Sequence, residues 1–232
     1  MDDAQRDVIA FLRDPGSYVP GTGPVEIVET HASLVFLAGR SAYKLKRAVK
    51  YPYLDFSTVA RRRAACTAEL RLNRRTAPQL YLEVRALSRL ADGSIVWGRP
   101  DDAQAGEPID FVVVMQRFDQ RDLLENLAAA GGLSAPLIHA LCTHVAAFHD
   151  KAEQRPDHGG ASAMSGLIAT NVGILRNCRS AGFDQAQVDR IEAALIADLA
   201  SQGGLLDERR AAGRVRRYHG DLHLRNICLV DG

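Results

Sequence analysis

The residues best equipped for chemistry sit close together at His219-Gly220-Asp221-Leu222-His223-Leu224-Arg225-Asn226. An aspartate such as Asp221 can orient an attacking hydroxyl and take its proton. Five residues on, Asn226 offers an amide oxygen, a hard donor suited to magnesium. Gly220 allows the backbone to turn sharply beside a substrate. His219 is placed to brace the loop, and His223 to meet a phosphate or to pack. An apolar run over 227–230 follows and reads as a strand. Phosphoryl transfer asks a protein mainly to position reactants and neutralise charge, so this order suits that reaction.

A second chemistry competes for the same residues. His219, Asp221 and His223 also spell H-x-D-x-H, and in an extended segment all three side chains fall on one face. Such a set could ligate a transition metal in a metal-dependent hydrolase. No further cluster of His, Cys or carboxylates supplies the remaining ligands, and Asn226 is then unexplained. A loop with a purely structural role is the third reading.

The elements that must carry this loop are legible from periodicity. Residues 2–13 put Val8, Ile9, Phe11 and Leu12 on a short amphipathic helix ended by Asp14-Pro15-Gly16, and 19–24 is a Pro/Gly linker. Strands are expected at 25–29, 34–37 and 42–45, joined by Thr30-His31-Ala32-Ser33 and Ala38-Gly39-Arg40-Ser41 into an antiparallel meander. In the third strand a period of two sets Tyr43 and Leu45 on one side, Lys44 and Lys46 on the other. Taken alone, that lysine pair is a solvated face. Ser57 or Thr58 can cap a helix to about residue 76, with Ala64, Ala65, Ala68 and Leu72 as its apolar stripe. Arg61-Arg62-Arg63 and Arg74-Arg75 read as solvated charge. A hairpin follows over 81–97 around Asp92-Gly93, then a polar stretch over 101–108 and a buried strand over 109–115.

From Asp119 the period changes to that of helices. Leu123, Leu124 and Leu127 mark one helix, ended by Gly131-Gly132. Leu137, Leu141, Val145 and Phe148 mark a longer one from Ser134, and 164–178 is weakly helical. Val188, Ile191, Leu195 and Leu199 mark another, which Gly203-Gly204 is expected to close. A basic stretch over 209–217 leads into the terminal motif. His139, His144 and His149 are about 140° apart in projection and share no metal-binding face. Strands first and helices later indicate an α+β fold. The expected divisions are 1–24, helix and linker; 25–118, strand-rich; and 119–232, helical.

Composition narrows the class. With 47% hydrophobic and 25% charged residues in 232, the chain is globular rather than fibrous or disordered. A net charge of +1 generates no field to favour nucleic acid or an anionic membrane. Cys66, Cys142, Cys178 and Cys228 are far apart and form no C-x-x-C pair, so they read as small core residues in a reducing compartment. Met1-Asp2-Asp3 is acidic and no long uncharged apolar run follows, so neither a secretory signal nor a spanning helix is expected, and a cytoplasmic location follows.

Together, Ala42-Tyr43-Lys44, Glu69, the strand ending at Met115 and the motif His219 to Asn226 resemble the aminoglycoside phosphotransferase-like group of kinase-fold proteins. The broader kinase pattern is H-R-D-x-x-x-x-N. Tyr43-Lys44-Leu45-Lys46-Arg47, Tyr53-Leu54-Asp55-Phe56-Ser57 and Glu69-Leu70-Arg71-Leu72-Asn73 resemble a bacterial branch in which such a domain often precedes a P-loop ATPase or kinase domain. The resemblance implies a two-lobed, protein-kinase-like fold with an incomplete helical lobe. It also implies transfer of the γ-phosphate of ATP or GTP, with Mg2+, to the hydroxyl of a small molecule. In that scheme Lys44, in preference to Lys46, binds the phosphates and Glu69 holds the lysine. Gln116 and Phe118 lie in the crossing segment that meets the adenine edge, Asp221 is the base and Asn226 holds magnesium.

The departures from the family pattern carry their own expectations. The turn Thr30-His31-Ala32-Ser33 lacks G-x-G-x-x-G, and a long helical stretch separates the crossing segment from Asp221; both favour a small acceptor. The family's further acidic metal ligand would follow a turn at Asp231-Gly232 and is absent, as is a G-x-x-x-x-G-K-[ST] P-loop. A truncated chain, weak or inactive by itself, is therefore implied. The same motifs would also suit a non-catalytic nucleotide-binding or regulatory module.

Overall fold

A computed structural model describes residues 5–101, 106–178 and 184–230. The acidic start Met1-Asp2-Asp3, part of the polar stretch after Asp101, and the turn Asp231-Gly232 lie outside the described residues. The chain divides into two compact units, Met1–Gln120 and Arg121–Gly232. The fold is mixed α and β, with an antiparallel sheet in the first unit and helices dominating the second.

In the first unit, helix α1 (Arg6–Arg13) precedes strands β1 (Glu26–Glu29), β2 (Ser33–Ala38) and β3 (Ser41–Lys46). A small hairpin, β4 (Lys50–Tyr51) and β5 (Leu54–Asp55), leads to helix α2 (Val59–Asn73). Strands β6 (Tyr81–Arg89), β7 (Ile95–Gly98) and β8 (Glu107–Gln116) follow. The main sheet has the order β1-β2-β3-β8-β6-β7, every neighbouring pair antiparallel. β8 takes a central place because its run Phe111-Val112-Val113-Val114 can be buried on both faces.

Alternation along β8 divides the core. Val112 and Val114 pack with Leu34, Phe36, Leu45 and Leu87 against Val8, Ile9 and Leu12 of α1. Phe111 and Val113 pack with Val84 and Ala86 against Cys66 of α2. The sheet is thus covered by α1 on one face and α2 on the other. Each fully buried Leu or Phe of this kind contributes about 2 kcal/mol.

The N-terminal helix, set apart in the sequence with its linker, is part of this core. Phe11 meets the Trp97 ring edge-on at 5.5 Å, Trp97 donates Nε1–H to the Ser17 carbonyl at 2.6 Å, and Tyr18 donates its hydroxyl to the Leu12 carbonyl at 2.6 Å. Helix α2 begins at Thr58, whose Oγ1 accepts the Arg61 amide. Its inward face differs from the expected alanine stripe: Ala64 is exposed, while Arg62 and Cys66 are buried. Arg62 is therefore not solvated charge. Its Nε donates to Asp110 Oδ1 at 2.8 Å, with Asp110 fully buried in β8.

In the second unit, α3 (Leu124–Ala129), α4 (Ala135–Lys151), α5 (Gly160–Asn177) and α6 (Gln185–Ala211) are helices. Ser134 caps α4 as expected, and Leu137, Leu141, Val145 and Phe148 form its less exposed stripe. Asp184 and Gln187 form a reciprocal capping box at the start of α6. This helix runs straight through Gly203-Gly204, correcting the expected stop. The α5–α6 pair explains why: a Cβ on Gly203 would lie 3.3 Å from Ala161 Cβ, so the glycine permits a close helix crossing. The Ala161 amide donates to Asp207 at 3.1 Å near one end of the pair, and Arg176 bonds Asp189 and Glu192 at 3.0 and 2.6 Å near the other. Among the described residues no helix is long and apolar enough to cross a membrane.

Candidate functional site

The first cluster lies between β3 and α2. Register opposes Lys44 to Val113 and Leu45 to Val112, so Leu45 joins the α1 face of the sheet and Lys44 and Lys46 project to the α2 face. Glu69, on the inward side of α2, meets both. Lys44 Nζ is 2.8 Å from Glu69 Oε1, and Lys46 Nζ bonds Oε2. The lysine face that reads as solvated is therefore largely covered, with side-chain exposures of 28% for Lys44 and 9% for Lys46.

Burial alone would lower the Lys44 pKa, but the Glu69 charge and hydrogen bond outweigh it and hold it above its ordinary value. Burial would likewise raise Glu69, yet the two ammoniums hold its carboxyl below the ordinary range. Tyr81 and Cys66 complete the surroundings. Desolvation, then the Glu69 charge, pushes the Tyr81 hydroxyl up. Burial pushes the Cys66 thiol up to about 12, so it stays protonated and inert. One carboxylate shared by two cations leaves a net positive group, suited to an anion such as a phosphate.

Gln116 and Phe118 stand at the end of β8. Gln116 pairs with Ser41, at the opposite end of β3 from Lys46. The Gln116 amide donates to the Leu80 carbonyl at 2.8 Å and the Arg117 amide to Arg40 at 2.9 Å. Both amides are thus committed to the sheet, and Gln116 has no backbone donor left for an adenine edge. Phe118 is half-buried.

The second cluster is the terminal loop. Gly220 has φ 82°, a left-handed conformation that a side chain would strain. The Asp221 amide donates to His219 Nδ1 at 3.3 Å, and the Arg225 amide to His223 Nδ1 at 3.3 Å, so each histidine ties down its own stretch of loop. Asn226 Nδ2 donates to the Asp221 carbonyl at 2.8 Å and to its Oδ2 at 3.1 Å, and lies 3.2 Å from His223 Nε2. Asp221 and Asn226 are brought together, with the amide nitrogen facing Asp221. The Asp221 side chain is 76% exposed.

The loop is anchored at both ends. After it, the expected strand over 227–230 forms a single bridge, Cys228 with Leu123, because its partner segment turns into α3 at once. The Leu124 amide donates to the Ile227 carbonyl at 3.0 Å, the Leu229 amide to Asp122 at 2.9 Å, and Arg225 Nε to Glu125 at 2.7 Å. Before it, Arg216 donates Nη1 to the Asp150 and Ala152 carbonyls at 2.9 and 3.2 Å, capping the end of α4, and His149 packs on the Tyr218 ring at 4.4 Å. The three-ligand metal reading loses its geometric basis: among the described residues no three His, Cys, Asp or Glu side chains are grouped to hold an ion.

The cysteines are free; Cys66 is a core residue as expected, whereas Cys142 is exposed. Three participants near the lysine cluster escape a reading by periodicity: Gln5, Arg62 and Asp110. Their one signal is a charge inside an otherwise apolar strand, Asp110, which requires a partner.

Comparison with known proteins adds distant relatives. The uncharacterized proteins Mb2027c of Mycobacterium bovis and Rv2004c of Mycobacterium tuberculosis are each 29% identical to this chain over 211 residues, 90% of this chain and 40% of the relative. The chain therefore spans about two fifths of the length of the curated relatives it matches. No family model and no solved structure matches it.

Proposed function

We propose that this chain is a phosphotransferase-type domain of the aminoglycoside phosphotransferase-like, two-lobed kinase-fold class, which moves the γ-phosphate of ATP or GTP to a small-molecule hydroxyl. The observation that carries the reading is Glu69 gripping Lys44 and Lys46 together between strand and helix. A lone strand lysine would lose rotamer entropy on meeting a phosphate, whereas these are already ordered and keep a net positive charge.

In this reading Lys44, with Lys46 behind it, binds the nucleotide phosphates and Glu69 fixes their placement. Asp221, exposed on its glycine-turned loop, orients the acceptor hydroxyl and accepts its proton as the acceptor oxygen bonds to the γ-phosphorus. The bond from that phosphorus to the β–γ bridging oxygen breaks, and the nucleoside diphosphate leaves. Magnesium would be held by Asn226 through its amide oxygen, a hard donor, with the amide turned over from the orientation in which its nitrogen faces Asp221; the ion would neutralise phosphate charge. Phe118 and the backbone beyond Arg117 are left to meet the base.

The test is labelling with an acyl-phosphate derivative of ATP, which acylates a lysine lying against the phosphates. Acylation of Lys44 or Lys46, suppressed by Mg-ATP or Mg-GTP, is expected. Acylation spread over exposed lysines such as Lys50, with no competition by nucleotide, would refute the reading.

A further inference from the structure

A buried polar network joins four parts of the first unit next to the lysine cluster. Asp110 Oδ1 accepts from Arg62 Nε at 2.8 Å and from the Phe111 amide at 2.9 Å, and Oδ2 accepts from Gln5 Nε2 at 2.6 Å. Gln5 Nε2 also donates to the Lys46 carbonyl at 2.9 Å, while Gln5 Oε1 accepts from the Ala48 amide at 2.7 Å. Arg62 Nη1 donates to the Phe56 carbonyl at 3.1 Å. Gln5, Arg62 and Asp110 are 2%, 3% and 0% exposed.

Apolar side chains of similar volume would hold these elements together at least as well, because desolvating an ion pair offsets most of its attraction. What an apolar contact lacks is direction. Arg62 and Glu69 lie two turns apart on one face of α2, so whatever fixes the rotation of α2 at Arg62 also fixes where Glu69 points. Gln5 meanwhile grips the backbone of Lys46, at the end of the strand that carries both lysines. The network therefore holds both partners of the Lys–Glu cluster, the helix at Arg62 and the strand at Lys46.

We propose that Gln5, Arg62 and Asp110 are positioning residues, a clasp that sets helix α2 and the end of β3 so that Glu69 meets Lys44 and Lys46. Its functional meaning rests on the reading of those lysines as phosphate ligands. Gln5, at the start of α1, is then a working part of the site, and its loosening would disarm the lysines without touching them.

The experiment measures, on the full chain, the rate at which an N-hydroxysuccinimide ester acylates Lys44 and Lys46, with exposed Lys50 as internal reference. In Asp110→Asn both rates should rise about fivefold or more, towards those of Glu69→Gln, as the carboxylate leaves its place. Because Asp110→Asn strands the buried Arg62 charge and lowers stability, the double variant Arg62→Met/Asp110→Leu, which fills the volume without charge, and Gln5→Leu are measured beside it. A folded double variant with raised lysine rates supports the clasp, since a merely structural pair would be replaced without effect. Lysine rates unchanged from wild type in the folded variants would overturn it. The comparison needs no nucleotide, so it decides the clasp even where Mg-ATP fails to protect the lysines, the result that would sink the functional reading.

Discussion

Lys44 Nζ lies 2.8 Å from Glu69 Oε1 while Lys46 holds the other oxygen of the same carboxylate. One side chain of α2 thereby serves two cations of β3, and its removal leaves both without a counter-charge. Glu69→Gln should destabilise the first unit by about 3 kcal/mol, because Lys46 is nearly buried and would lose the carboxylate it bonds. Equilibrium urea unfolding measures this, and a loss under about 1 kcal/mol would show that the cluster is solvated enough to need no partner.

The same pair gives stability a pH dependence with a definite sign. Glu69 is held below its ordinary 4.5, its burial outweighed by the two ammoniums, so its contribution is present above 4.5 and lost as the pH falls through the lowered value. Lys44 is held above its ordinary 10.5, burial being outweighed by Glu69, so its contribution is complete below 10.5 and lost as the pH rises through the raised value. Unfolding free energy measured against pH should fall off in acid, and that fall should shrink in Glu69→Gln. Identical acid limbs for the two proteins would contradict the assignment.

Two ion pairs of α2 should differ sharply in worth. Arg62–Asp110 is buried, and truncating either partner to alanine should cost about 3–5 kcal/mol by leaving the other charge stranded. Arg63–Asp101 is open to water, and Arg63→Ala should change stability by under about 1 kcal/mol. Thermal and urea unfolding of the two alanine variants at one salt concentration would compare them directly.

Helix α6 offers a stabilising change. A Cβ on Gly204 would meet open space in the helix interior, so Gly204→Ala should add about 1 kcal/mol from helix propensity. Gly203→Ala should gain less, since its Cβ would press on Ala161. Calorimetric melting of both variants checks the order.

These residues also show what the sequence made legible. The period-two alternation at residues 42–46 placed both lysines on one side, and the β2 and β3 register bears that out, because alternation is a property of the strand alone. What covers that side is set by packing between distant segments: taken alone the lysine pair is a solvated face, and it is the resemblance, not the alternation, that pairs Lys44 with Glu69, as the ion pair does. Arg62 reads as surface charge because two arginines flank it; only the buried Asp110 in the central strand distinguishes it. Gly203-Gly204 carries the composition of a helix end, yet a close approach to α5 uses the same lack of a side chain. In the terminal loop the turn at Gly220 and the closeness of Asp221 to Asn226 follow from local chain geometry and could be anticipated. The apolar run after it makes one bridge, Cys228 with Leu123, among the described residues, since strand pairing depends on what lies opposite.

The central claim is tested most directly by incubating the chain with γ-labelled ATP or GTP, magnesium and a panel of small hydroxyl compounds, and by following label into product. Transfer to at least one acceptor is predicted, slow if the chain acts as part of a longer protein, and about a hundredfold or more weaker in Asp221→Asn with nucleotide binding kept. Transfer that survives Asp221→Asn unchanged, or failure of the chain to bind either nucleotide, would contradict the account; retained nucleotide binding with no transfer to any acceptor would favour a regulatory nucleotide-binding module.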